Sequence, residues 1–151
     1  MKTTCLVLLL AALAAGAAGA QTAAELVTAT AISSTLDKSL TIRLPSGTSF
    51  VRNPTYAASL APTLLGADAP RYADFQLYVA RGLATRLMDA YLMNLKTQYA
   101  ASGFMTQGSR SVTAGKETWT RTDLVNPAGR TVAILTAKRT DGVYIFTSVM
   151  K

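Results

Sequence analysis

The last third of the chain, Ser109 to Met150, constrains the fold more than any other stretch. Three runs there read as strands: Glu117 to Val125, Arg130 to Lys138 and Val143 to Val149. Asn126-Pro127-Ala128-Gly129 separates the first two, and Thr140-Asp141-Gly142 separates the second two. Proline fixes φ and glycine supplies positive φ, so both breaks are turns for a chemical reason. Strand, short turn, strand predicts an antiparallel hairpin, and two in succession predict a three-stranded meander. A further strand, Ser109 to Ala114, precedes them, with Gly115-Lys116 as its turn.

Turn length also predicts a register. A four-residue loop at Asn126 to Gly129 pairs Val125 with Arg130, and so Asp123 with Val132 and Arg121 with Ile134. A three-residue loop at Thr140 to Gly142, with Gly142 left-handed, pairs Arg139 with Val143. One face of the meander then carries Trp119, Val125, Val132, Ile134, Tyr144, Phe146 and Met150. The other carries Leu124, Ala133, Leu135, Ala137, Val143, Ile145 and Val149, beside Thr118, Thr120 and Thr122. Both faces hold apolar residues, so both need cover. Small Ala and Thr side chains suit the close approach of a helix on the second face.

Upstream, the pattern changes. Gln21 to Ser39 is rich in Ala, Thr and Ser and reads as a loosely ordered lead-in, with one short helix from Ala23 to Thr30. Leu40 to Leu44 alternates apolar and polar residues as a half-buried strand does, and Pro45-Ser46-Gly47 turns it into a second strand, Thr48 to Arg52. Pro54, Pro62 and Pro70 rule against a long helix or a central strand and predict a loop from Asn53 to Arg71 that packs over the core through Tyr56, Leu60, Leu64 and Leu65. Tyr72 to Ala80 reads as a strand with Ala73, Phe75, Leu77 and Val79 on one face. Leu83 to Ser102 is the one clear helix: Ala84, Met88, Tyr91, Leu92, Leu95 and Tyr99 form an apolar stripe. Gly103 is its expected C′ residue, and Phe104 folds back on the last turn. Arg86 and Lys96 mix with Asp89 and Asn94 off the stripe, which favours packing on a sheet over lying on a membrane.

The N-terminus reads as an export signal. Lys2 precedes the apolar run Leu6 to Ala15, and Ala18-Gly19-Ala20 fits a cleavage site. The expectation is cleavage after Ala20 and a secreted or periplasmic product. The apolar run is short against the about 20 residues that a membrane span needs. Residues 21–39 then lead into a single α+β domain from Leu40 to Lys151. Cys5 is the only cysteine, so the exported part holds none and must rest on its core without a disulfide.

The order is hairpin, proline-rich loop, strand, a long helix ending Ser102-Gly103-Phe104, then a strand and a meander. Gly115 stands before the Trp119 strand, and Gly142-Val143-Tyr144 opens the last one. Over about Leu40 to Met150 this resembles the PsbP-like family, many of whose members are secreted bacterial proteins. The resemblance implies an antiparallel sheet with helices packed on it, and roles in binding and assembly rather than catalysis.

The chain has no histidine. Without histidine or a mature cysteine, the usual zinc, haem and copper sites, the Ser-His-Asp triad and cysteine nucleophiles are excluded. Phosphate-binding glycine motifs are missing. The carboxylates are scattered, and Glu117 and Asp123 lie about 20 Å apart on one strand, too far for a glycosidase pair. No catalytic, cofactor-binding or metal-ligating residue is therefore expected, and no cofactor. The leading expectation is an exported, non-catalytic binding or assembly module for a protein or cell-envelope partner. The alternative starts from the net charge of +7. Arg110, Lys116, Arg121, Arg130, Lys138 and Arg139 lie around Trp119 and Tyr144, with Arg110, Arg121, Arg130, Lys138 and Arg139 as the candidate contacts. Such interleaving can hold an anionic polymer, nucleic acid or wall polymer, by charge and stacking.

Overall fold

The C-terminal strands Thr131–Arg139 and Gly142–Met150 carry apolar residues on both faces, and the need to cover both decides the architecture. In the computed structural model, which describes residues 25–151, the strands from residue 105 onward supply four of the seven in one antiparallel sheet. The expected export signal and its cleavage site lie outside the described residues. In chain order the elements are β1 (Leu26–Thr28), β2 (Ala31–Ser33), β3 (Thr41–Arg43) and β4 (Thr48–Val51), then α1 (Pro54–Leu65) and a 3₁₀ segment (Gly66–Arg71). After these come β5 (Tyr72–Arg81), α2 (Thr85–Ala101), β6 (Met105–Ala114), β7 (Glu117–Val125), β8 (Thr131–Arg139) and β9 (Gly142–Met150). The sheet order is β1-β4-β5-β9-β8-β7-β6, and β2 and β3 form a separate two-stranded ribbon.

Each face of the sheet is covered, and two helices share the work where the sequence predicts one. On the first face α1 buries Ala57, Leu60, Ala61, Leu64 and Leu65 against Leu77, Val79, Trp119, Leu135, Tyr144 and Phe146. On the second face α2 buries Met88, Tyr91, Leu95 and Tyr99 against Leu124, Val132, Ile134, Val143, Ile145 and Val149. The β2–β3 ribbon lies beside α2 there, contributing Ile32 and Ile42. The Thr48 and Tyr91 hydroxyls, 2.6 Å apart, tie α2 to β4 in the buried layer.

Four sequence expectations change. The proline-rich segment is helical, because Pro54 stands where a first-turn N–H has no partner anyway and Asn53 caps Thr55 N–H at 3.0 Å. Pro62 sits inside α1 and is tolerated while the stripe 57, 60, 61, 64, 65 stays buried. Of the expected helix at Ala23 to Thr30, residues 23 and 24 lie outside the described residues, and the rest is instead β1 and the turn that leads to β2. The expected β3–β4 hairpin does not form, because β3 pairs with β2 whereas β4 pairs with β1 and β5. In β5 a bulge between Ala73 and Gln76, with Asp74 at φ 54°, puts Tyr72 on the α1 face together with Phe75 and Leu77.

The register differs by one residue at both turns. Asn126 N–H bonds Arg130 O at 3.1 Å, and Asn126 Oδ1 accepts from Arg130 N–H at 2.8 Å. Arg130 therefore belongs to the loop, and Val125 pairs with Thr131 and Arg121 with Leu135. At the next turn Arg139 pairs with Gly142, leaving a two-residue loop. A one-residue slip turns every side chain over. Ala133, Leu135 and Ala137 consequently join Trp119 and Tyr144 under α1, while Val132 and Ile134 face α2.

Candidate binding groove

The alternation that builds the core also distributes the five basic residues predicted to form a site. Arg110, Arg121 and Arg139 share the α1 face with Trp119, Lys138 lies on the α2 face, and Arg130 lies in the loop before β8. Each meets a carboxylate. Arg121 is only 3% exposed and pairs with Asp68 and Asp123, both at 3.0 Å. Burial opposes its charge, but hydrogen bonding and charge from Asp123, with Tyr72 and Asp68, outweigh that and raise its pKa. Arg110 reaches the same carboxylates at 3.4 and 3.8 Å from the solvent side. Arg139 pairs with Glu117, with its guanidinium 4.2 Å above the Tyr144 ring centre. Arg130 meets Asp37 at 3.4 Å and Met150 O at 3.0 Å, and Lys138 meets Asp89 at 2.9 Å. The structure thus brings Arg110 and Arg121 together around two aspartates and disperses the others. Trp119 and Tyr144 are both 0% exposed, so neither offers a ring for a base to stack on.

The opening with binding character is elsewhere, on the α2 face. The sheet extends past α2 to β6, whose side chains are exposed along most of its length. Where α2 ends its cover, a groove of about 380 Å³ remains between its second half and β6–β8. Leu92, Leu95, Lys96, Tyr99 and Ala100 supply the helix wall. Thr106, Thr120, Thr122 and Thr136 line the sheet wall with Leu124, Ile134 and Lys138. Phe104 also lines the groove, held by the turn after α2: Phe104 N–H bonds Tyr99 O at 3.0 Å, and the two rings meet edge to face at 5.7 Å. That turn needs Gly103 at φ 85°, as the sequence implies.

An apolar floor with a few polar groups at a volume of this size is what small-ligand sites look like. No acidic residue lines the groove, and its two charged side chains are lysines from opposite walls. Burial pushes the Tyr99 hydroxyl well above its ordinary range, so it stays a neutral donor. The sequence stripe contained Leu92, but Leu92 is only partly buried, because it stands at the groove and not beneath the helix.

A second cleft, of about 620 Å³, lies where β4 leaves β5. It is wider and more open, and its one carboxylate is engaged. Asp74 accepts from Ser34 Oγ at 2.5 Å, from the Thr35 hydroxyl, and from the Thr35 and Leu36 amides at 2.8 and 3.0 Å. Burial raises the Asp74 pKa, and these hydrogen bonds outweigh it to leave the group below its ordinary value. Asp74 thus anchors the loop between β2 and β3.

Sequence reasoning missed the groove. The threonines at 120, 122 and 136 alternate with core positions and were the available sign of a half-polar strip. The position of α2 across the sheet depends on packing that no local pattern encodes. Among the described residues no helix is long and apolar enough to cross a membrane. No family model matches the chain, and neither a curated protein nor a solved structure does.

Proposed function

We propose that this chain is a non-catalytic, exported binding or assembly module that engages a protein or cell-envelope component through the groove between α2 and β6–β8. In this reading α2 is the amphipathic helix of the module and β7–β9 its meander floor. The observation that carries it is the groove itself: an apolar floor open to solvent, edged by threonines and two lysines, with no carboxylate. Export rests on Lys2, the apolar run Leu6 to Ala15 and Ala18-Gly19-Ala20. The PsbP-like resemblance agrees with a binding role.

The test is site-specific photo-crosslinking of the exported protein in intact cells. A photoreactive residue at Thr122, inside the groove, should give discrete adducts. The same residue at Lys116, in the β6–β7 turn, should give none. Equal labelling at both positions, or none at Thr122, would refute the groove as the contact surface.

A further inference from the structure

We infer that the groove takes a single-chain anionic amphiphile, an alkyl body with a negatively charged head group. This deepens the reading above and rests on it. Leu95, Tyr99, Phe104, Leu124 and Ile134 are all buried and form an apolar floor suited to a slender hydrocarbon chain. Such a chain gains by leaving water in proportion to the apolar area it covers.

The head group is assigned by charge complementarity at the mouth. Lys96 on α2 and Lys138 on β8 stand on opposite walls of the groove. Among the described residues Lys96 has no acidic partner. Lys138 meets Asp89, but that carboxylate is 76% exposed, so the pair is screened by solvent and gives way to a better-placed anion at little cost. A cationic head would face two like charges and no carboxylate in the lining. The threonine hydroxyls along β7 and β8 can donate to head-group oxygens, which an alkylammonium lacks. The net charge of +7 draws the same ligand class towards the molecule.

Calorimetric titration of the full chain tests this with three amphiphiles of equal tail length, each kept below micelle formation: dodecanoate, dodecyl maltoside and dodecyltrimethylammonium. Dodecanoate should bind most tightly, roughly tenfold better than the cation, and Lys96→Gln should weaken it about threefold to fivefold. The same variant should leave dodecyl maltoside unchanged, and Lys116→Gln, outside the groove, should leave both unchanged. Thr120→Trp, which fills an exposed lining position, should abolish binding while the thermal melt stays intact. Equal affinity for the three head groups would overturn the anionic ligand. So would a loss with Lys116→Gln equal to that with Lys96→Gln. If that happens while Thr122 still gives its adducts, only the ligand class fails. If no amphiphile binds and Thr122 gives no adduct, the groove reading fails as well.

Discussion

Gly142 carries a steric demand that can be measured. It opens β9 between β5 and β8, pairing with Arg81 on one side and Arg139 on the other, at φ +154°. A Cβ there would lie 2.9 Å from the Ala80 carbonyl carbon, 3.0 Å from Arg81 Cα, and closer still to the Ala80 oxygen. These are backbone atoms of a central strand, so no side chain can rotate away. Gly142→Ala must therefore push β5 and β9 apart at the end of their ladder. Overpacking of this kind costs about 1–3 kcal/mol, and a backbone region reserved for glycine adds a similar amount, so the total is roughly 2–6 kcal/mol. For a domain of this length that lowers the melting temperature by roughly 5–15 °C. Urea denaturation followed by circular dichroism gives the free energy directly. Gly47→Ala is the control: φ is +85°, but nothing lies within 4 Å of the added carbon, so only the left-handed strain of about 1–2 kcal/mol applies. The reasoning is refuted if Gly142→Ala is as stable as Gly47→Ala or more so.

Three further outcomes follow from the packing and charges. Arg121→Ala strips a buried partner from Asp68 and Asp123, which keep some solvent access. The loss should be roughly 2–4 kcal/mol, against at most about 1 kcal/mol for exposed Arg110→Ala, both read by chemical denaturation. Asp74 has a folded pKa below its ordinary value of 3.8. Its contribution is therefore full above that value and is lost as pH falls through the lower folded value. Asp74→Asn, which tolerates positive φ, should flatten the fall in melting temperature between pH 5 and pH 3. An unchanged acid limb would count against this. Leu95→Ala, with its side chain 3% exposed, should cost about 2–5 kcal/mol, and partly buried Leu92→Ala clearly less. Equal losses would place Leu92 in the core and close the groove.

The parts legible in the sequence are those where local chemistry and tertiary packing agree. The strands β5 to β9 carry alternation and glycine turns, and α2 ends at Gly103 with Phe104 buried behind it. Where the two disagree, the local signal misleads. The prolines of α1 obscured a complete helical stripe, because one proline sits at a free first-turn position and the other is offset by five buried residues. The strands β1 and β2 are three residues each, too short to show a period, and are fixed by the partners that β4 and β3 supply. The β7–β8 register turned on whether Arg130 counts as loop or strand, and two hydrogen bonds to Asn126 decide that it is loop. The basic residues were visible, and Asp123 stands two residues from Arg121, but Asp37, Asp68 and Asp89 come from distant segments, so most of the neutralisation was not.

The most direct test of the central claim is a map of amide chemical-shift changes in the labelled full chain during titration with dodecanoate. The groove predicts the largest changes at Lys96, Tyr99, Thr106, Thr120, Thr122 and Thr136, saturating together with one affinity. Changes centred on Thr28 to Ser33 and Asp74 to Gln76, or spread over Arg110, Arg130 and Arg139 without saturation, would contradict it.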